Sequence, residues 1–286
     1  MSRTLILDLD GSVKPMPGAE TLPLRGWEEA IRFGCRQAQL DALEREIESS
    51  LAPHPAVTFM GSGDFHHLSY LLIRRLKSLG TGMQVVVFDN HPDNMRYPFG
   101  IHCGSWVRHV SKLPFVKRVL VAGITSTDVE AGRLWENYLS PLYAGKVAYF
   151  CVNRNLSGLR RIGVRQCRSF SSTGDMMTAL AGELAAVPDP VYLSIDKDVL
   201  AADEVRTNWD QGVMRVDELF GAIRSLEGRI VAGDVVGDVS AYRYRSGFKR
   251  FLSGLDSQPA IPADELARWQ AEHQPVNLEL MSLLSP

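Results

Sequence analysis

Short, β-branched apolar runs alternate with longer amphipathic stretches along the chain, and this alternation restricts its fold most strongly. Several runs are apolar at consecutive positions, as expected for central strands of a parallel sheet that helices cover on both faces. The pattern predicts a three-layer α/β fold with a mainly parallel sheet. The predicted strands are 4–7, 56–60, 84–88, 118–122, 146–151, 191–195 and 229–232, and helical spacing predicts helices over 27–49, 67–79, 175–186 and 215–226.

The 286 residues show no internal repeat and no low-complexity linker, so we expect one α/β domain over residues 1–286. From about residue 253 the chain becomes richer in Pro, Gln and Glu, with a helix expected near 262–273. This C-terminal extension could wrap the domain or a neighbouring subunit.

Composition and charge exclude several classes of protein. A net charge of −2 gives no general attraction for nucleic acid or anionic lipid, and no stretch approaches the roughly 20 apolar residues of a membrane-spanning helix. The first apolar run stops at Asp8, too soon for a signal peptide, so we expect a cytoplasmic protein. The cysteines form no CxxC pair, which argues against a zinc knuckle or a disulfide framework: they are Cys35, Cys103, Cys151 and Cys167.

Candidate metal ligands follow the apolar runs, at the strand ends where open parallel α/β sheets place their ligands. The run 84–88 ends in Asp89, His91 and Asp93, and the run 191–195 ends in Asp196 and Asp198. Alternate residues of an extended chain share a face, so each set is expected to point one way. The run 56–60 leads into a glycine-rich turn that carries adjacent histidines at 66 and 67.

Each of these motifs alone is more often a turn, a helix cap or a hydrogen-bonded histidine than a ligand. Together they place several carboxylates at one pole of a sheet, where like charges repel and need a counter-charge. Two divalent metal ions supply it. Oxygen and nitrogen donors without thiolate favour manganese, with iron, cobalt and zinc as alternatives.

The chain resembles the ureohydrolase superfamily, which includes arginase, agmatinase and formiminoglutamase, over about residues 56–240. The motifs that carry the resemblance are, in order, GSGDFHH, FDNHPDN, GIHCGSW and LSIDKDVL. The resemblance implies an eight-stranded parallel sheet, two metal ions and hydrolysis of a carbon–nitrogen bond, and the family often forms trimers or hexamers. The implied metal ligands are Asp89, His91, Asp93, Asp196, Asp198 and a histidine, with His66 favoured over His67.

The resemblance also implies catalytic roles. Asp93 would orient the attacking hydroxide while binding metal, and His102 would protonate the departing amine. A buried, hydrogen-bonded imidazole is the alternative role for His102.

Departures from the family pattern bear on the substrate. Glycine stands at 237, where family members usually carry a glutamate that binds a guanidinium. We expect Asp238, the next residue, to take the place of this glutamate. The loop 201–212 also lacks the usual family sequence. An altered rim would suit a larger guanidino or amidino substrate, such as arginine within a peptide.

Two rival interpretations remain. Asp8 and Asp10 after the first run resemble the first motif of haloacid dehalogenase phosphatases, with Asp234 and Asp238 as a magnesium motif. Alternatively, the missing glutamate would leave a scaffold that binds metal without turnover.

Overall fold

The computed structural model describes residues 3–80, 82–247, 249–250 and 261–285. Its strands, in chain order, are β1 (Thr4–Asp8), β2 (Ala19–Pro23), β3 (Gly34–Cys35), β4 (Val57–Phe59), β5 (Met83–Phe88), β6 (Ile101–His102), β7 (Val116–Ile124), β8 (Val147–Val152), β9 (Cys167–Phe170), β10 (Val191–Asp196) and β11 (Ile230–Val236).

Nine of these strands form one sheet, in the order β2-β1-β4-β11-β10-β5-β7-β8-β9, and every neighbouring pair is parallel. Every residue of β5 and β10 is buried, as consecutive apolar positions predict for strands covered on both faces. Strands β3 and β6 form a separate antiparallel pair. The predicted parallel α/β sheet is confirmed, with nine strands in place of about eight.

The helices are α1 (Glu28–Ile31), α2 (Gln37–Ile47), α3 (Leu68–Arg74), α4 (Trp106–Ser111), α5 (Ser140–Tyr143), α6 (Ser157–Arg161), α7 (Thr173–Ala185), α8 (Val216–Ser225) and α9 (Ala263–Leu284). Helices α2 to α6 pack one apolar cluster against the sheet, and α7 to α9 pack a second cluster against the other face. Successive β5 residues Val85 and Val86 belong to different clusters, because side chains alternate along a strand. The predicted three layers are confirmed.

The helix predicted over 27–49 is interrupted. Phe33 has a φ of 69°, which a right-handed helix does not accommodate, and Gly34 then pairs with His102 in the small sheet. The segment therefore forms the two helices α1 and α2, and the break brings Phe33 beside the ring of His102.

The last helix belongs to the body of the fold. Val276, Leu280 and Leu284 of α9 are buried in the same apolar cluster as α7 and α8. The start of the expected C-terminal extension, 251–260, lies outside the described residues. Among the described residues, no helix combines the length and apolar composition that a membrane crossing requires.

Candidate metal centre

The segment after β5 carries three of the predicted site residues. Asp89 follows the last strand residue directly, while Asp93 has a φ of 45°, a left-handed conformation that aspartate tolerates better than most residues. The Asp93 Oδ2 accepts a 2.6 Å hydrogen bond from the indole Nε1 of Trp106, which fixes the carboxylate. Asp89, His91 and Asp93 therefore converge through a tight turn, and not through the extended alternation that the sequence suggested.

The end of β10 supplies two more carboxylates. Asp196 is the last strand residue, and its Oδ1 accepts a hydrogen bond from the backbone N–H of Asp198 at 3.1 Å. The Asp198 Oδ1 accepts from the backbone N–H of Asn90 at 3.0 Å. Because β10 and β5 are neighbours in the sheet, this bond joins the two ligand-bearing turns.

The turn after β4 approaches the same point. A Cβ at Gly63 would lie 2.8 Å from Asp196 Oδ2, so only glycine permits this close approach. The buried Asp64 carboxylate is held by Arg32 Nη1 at 2.6 Å, which anchors the turn from behind. The next residues of the turn project the imidazole of His66 toward the carboxylates of β5 and β10.

The first group of donors consists of His66, Asp89 and Asp93. The His66 Nδ1 lies 3.0 Å from Asp93 Oδ2, 3.3 Å from Asp89 Oδ2 and 3.5 Å from Asp196 Oδ2. Donor atoms of His66, Asp89 and Asp93 all lie within 4.8 Å of one another and are buried.

A second group shares one member with the first. Asp89, His91 and Asp198 also offer donor atoms within 4.8 Å of one another. The His91 Nδ1 lies 2.9 Å from Asp198 Oδ2 and 3.6 Å from Asp89 Oδ1. One carboxylate with an oxygen in each group is the arrangement that could bridge two ions.

Both imidazoles present Nδ1 to the carboxylates because other side chains hold their far nitrogens. The His66 Nε2 lies 2.9 Å from Ser194 Oγ, which donates to Asp234 Oδ1 at 2.7 Å, so Nε2 carries the proton donated to Ser194. The His91 Nε2 lies 2.9 Å from Asp210 Oδ1. Such partners orient metal-binding histidines and fix their tautomer.

No role was predicted from the sequence for Ser194, Asp210 or Trp106, and Asp234 was predicted only as part of a magnesium motif. Ser194 could have been recognised, because it lies two residues before Asp196 on the same face of β10. Asp234 was placed after a strand, but it lies within β11, opposite Ser194. Trp106 and Asp210 gave no signal beyond residue type.

Crowding of carboxylates changes their acidity. Burial and the charge of Asp89 raise the pKa of Asp93 to about 7, and the same two causes raise the pKa of Asp198 to about 7. Burial opposes protonation of His66, but its close contacts with the Asp89 and Asp93 carboxylates outweigh this and raise its pKa well above 6.5. The buried carboxylates thus oppose one another's ionisation, and a cation bound between them would favour their charged forms.

The donor set fits a pair of divalent ions. Asp89 Oδ2 is buried in the centre of the cluster, and its 3.3 Å contact with His66 Nδ1 lacks hydrogen-bond geometry. A buried carboxylate oxygen without a well-formed hydrogen bond is costly unless a cation is its partner. Buried oxygen and imidazole nitrogen donors suit manganese, iron, cobalt or zinc.

The structure separates the two adjacent histidines. His67 is fully buried, and its ring nitrogens make no hydrogen bond within the described part of the chain. Burial holds the pKa of His67 well below 6.5. It lies in neither donor group, whereas His66 lies in the first, as the sequence analysis favoured.

A cavity of about 520 Å³ opens over both donor groups, and His102 forms part of its wall. The His102 Nδ1 accepts the backbone N–H of Gly104 at 3.0 Å, so Nε2 carries the ring proton. The rings of Phe33 and Tyr97 flank it at centroid distances of 4.2 and 5.0 Å. Burial lowers the pKa of His102 to about 3, so the imidazole is neutral near pH 7.

The prediction that Asp238 binds substrate is wrong. Asp238 is buried, does not line the cavity, and forms an ion pair of 2.6 Å with Lys197 Nζ. Its other oxygen accepts from Asn277 Nδ2 at 2.9 Å. A carboxylate held by a buried ammonium and an amide is not available to a substrate.

The phosphatase interpretation is also wrong. Asp8 accepts hydrogen bonds from the backbone of Gly11 and from Arg25, and Asp10 is paired at 3.0 Å with the buried Arg32. Neither carboxylate lines the cavity. With Asp234 inside β11 and Asp238 paired, the proposed magnesium motif is not assembled.

The fold is shared with solved ureohydrolases. Formimidoylglutamase from Bacillus subtilis superimposes with a TM-score of 0.54 at 16% identity, covering 100% of this chain and 88% of that one. Proclavaminate amidino hydrolase from Streptomyces clavuligerus gives 0.53 at 18% identity, with coverage of 100% and 93%. Agmatine ureohydrolase of Thermoplasma volcanium gives 0.54 at 11% identity, with coverage of 99% and 89%. At these identities the likeness shows the fold.

Sequence comparison shows the family. The model of the Arginase family matches residues 28–242. An uncharacterized protein of Thermotoga maritima is 31% identical over 234 residues, which are 82% of this chain and 78% of that protein. The resemblance seen in the motifs is therefore confirmed. The chain belongs to the arginase family, as a divergent member of the ureohydrolase superfamily of metal-dependent hydrolases.

Proposed function

We propose that this protein binds two divalent metal ions, which we take to be manganese, and hydrolyses a carbon–nitrogen bond in a guanidino or amidino substrate. The observation that carries the proposal is the pair of donor groups that share Asp89 at the base of an open cavity. His66, Asp89, Asp93 and Asp196 would hold one ion, and Asp89, His91 and Asp198 would hold the other.

The charge of the cavity supports a cationic substrate. Two divalent ions would balance the four ligand aspartates at 89, 93, 196 and 198. Three further acids line the cavity, at Asp128, Glu136 and Asp210, against one base, Arg133. Arg133 Nη1 pairs with Asp128 at 3.0 Å, so two carboxylates stay uncompensated. A guanidinium or amidinium group would supply the missing positive charge.

Side chains of this protein would then perform separate steps of the hydrolysis. When bound, a pair of divalent ions supplies a water of lowered pKa and polarises the reacting carbon. Asp93, fixed through Oδ2 by Trp106, orients that water toward the amidino carbon. His102 would relay a proton: as the carbon–nitrogen bond breaks, the ring gives its Nε2 proton to the leaving nitrogen and takes up in return the proton that the attacking water loses, so it stays neutral overall.

The rim of the cavity supports a substrate larger than free arginine, such as arginine within a peptide. Trp135 is 72% exposed on the same turn as the cavity residues Arg133 and Glu136. Phe99 is 54% exposed and packs on Tyr97, which stacks on His102. Exposed aromatic side chains beside a cavity are suited to contact the flanking residues of a peptide.

Metal analysis and a product assay test the proposal. Purified protein should contain two divalent ions per chain, and Asp196→Asn should lose most of them. The variant should still fold, because an amide oxygen can accept the Asp198 N–H as the carboxylate does. Asp203→Asn, at an exposed acid paired with Arg215, is the matched control. Full metal content in Asp196→Asn would remove this residue from the site.

Substrate choice is tested by urea or ammonia release from free arginine, agmatine, formiminoglutamate and an arginine-containing peptide. We expect the peptide to give the highest kcat/KM. A protein that holds two metal ions and releases no product from any of the four would instead be a metal-binding scaffold.

A further inference from the structure

The place where the family carries its guanidinium-binding glutamate cannot carry a side chain in this protein. Gly237 has a φ of 91°, and a Cβ there would lie 2.6 Å from Asp196 Oδ1 and 2.7 Å from the backbone nitrogen of Lys197. The next residue, Asp238, is already paired with Lys197. A carboxylate for the substrate cation must therefore come from another element.

Three acids line the cavity besides the proposed metal ligands, and their surroundings differ. Asp128 is paired with Arg133. Among the described residues, no hydrogen bond or ion pair connects the Glu136 carboxylate to a proposed metal ligand. Asp210 lies directly beside the cluster, with Oδ1 2.9 Å from His91 Nε2, and its side chain is 70% exposed to the cavity and solvent.

The loop that carries Asp210 is held in place by its own contacts. Asn90 Nδ2 donates to the backbone oxygen of Asp210 at 2.9 Å, and Gly212 N donates to the backbone oxygen of Asp198 at 2.6 Å. Trp209 also lines the cavity, and its ring lies parallel to that of Phe33 at a centroid distance of 6.4 Å. A fixed carboxylate beside an indole is a favourable environment for a planar cation.

We propose that Asp210 is the specificity-determining carboxylate that pairs with the guanidinium or amidinium group of the substrate. This inference rests on the proposed function. Oδ1 accepts the proton of His91 Nε2, and Oδ2 has only a 3.3 Å contact with Asn90 Nδ2, so it retains capacity to accept. The divergent loop thus replaces the acid that is missing at Gly237.

The test compares butylguanidine with butylurea, a neutral molecule of nearly the same shape, by calorimetric titration of metal-loaded protein. Asp210→Asn removes the charge but keeps an oxygen that can accept from His91. We expect it to keep full metal content and butylurea affinity while the Kd for butylguanidine rises about tenfold, or about 1.4 kcal/mol. Urea release is measured in the same sample. If a probe is hydrolysed, its KM is compared between the variants in place of its Kd.

Asp203→Asn is the control, because Asp203 is on the same loop, pairs with Arg215 and does not line the cavity. It should bind both probes as the wild type does. Unchanged butylguanidine affinity in Asp210→Asn, or an equal loss for both probes, would overturn the assignment. Loss of metal would show that Asp210 only positions His91. If the wild-type protein fails to prefer butylguanidine over butylurea, the proposed function itself fails.

Discussion

Lys197 Nζ lies 2.6 Å from Asp238 Oδ2, and both side chains are buried. Asn277 of the last helix joins the pair, since its Oδ1 accepts from Lys197 at 2.7 Å and its Nδ2 donates to Asp238. Lys197 stands between the proposed ligands Asp196 and Asp198. The C-terminal helix is thereby linked to the turn that carries two carboxylates of the site.

Asp238→Asn should destabilise the protein by about 3–5 kcal/mol, because it leaves the ammonium of Lys197 buried without a counter-charge. Burial opposes ionisation of Asp238, but the charge of Lys197 outweighs it and holds the pKa of the carboxyl below its ordinary value. Urea denaturation followed by circular dichroism measures the loss.

A second ion pair of the same length provides the control. Lys117 Nζ and Asp189 Oδ1 are also 2.6 Å apart, but the Lys117 side chain is 53% exposed. Asp189→Asn should cost less than about 1 kcal/mol, as exposed pairs do. Equal losses in the two variants would show that burial of Lys197 does not set the strength of its pair.

The sequence predicted the centre of the sheet better than its edges. Central strands such as β5 are apolar at every position because both faces are covered, and that pattern is visible in one sequence. The edge strands β2 and β9 were missed. β2 has the sequence AETLP and is mostly exposed, so no apolar run marks it. Its pairing with β1 comes from the fold and not from local composition.

The candidate site was likewise predicted only in part from the sequence. Its metal-binding residue types cluster at strand ends and could be identified from spacing. Asp238 was misassigned because its partner Lys197 is 41 residues away and its burial leaves no mark in the local sequence. Asp210 was missed because its proximity to His91 depends on a loop without a recognisable pattern.

His66→Ala and His67→Ala should separate metal binding from packing. His66→Ala removes the nitrogen that faces Asp89, Asp93 and Asp196, so we expect loss of at least one of two metal ions per chain. His67→Ala leaves a cavity in the core and should lower stability by about 2–5 kcal/mol while metal content is kept. Elemental analysis of both folded proteins is the measurement. Metal loss confined to His67→Ala would reverse the assignment of the two histidines.

His102→Ala should keep both metal ions and slow turnover by about 10²–10⁴-fold, the usual cost of losing a group that transfers a proton. kcat is measured at saturating manganese, so that weakened metal binding does not imitate a catalytic defect. His102→Asn is measured as a second variant, because its amide retains a hydrogen-bond donor near the position of Nε2 but cannot relay a proton. Turnover at the wild-type rate in both variants would leave His102 as a structural residue that supports the cavity wall.

The pH profile of kcat/KM provides a separate test of the state of His102. Burial lowers its pKa to about 3, so the imidazole becomes protonated only below that pH and is neutral throughout pH 5–9. Any acid limb of the wild-type profile in this window must then come from other groups. We expect His102→Asn to lower the whole profile by a constant factor and to leave its limbs where they are. If instead a limb near pH 6.5 disappears in the variant, His102 ionises near its ordinary pKa and gives up a proton as an imidazolium during turnover.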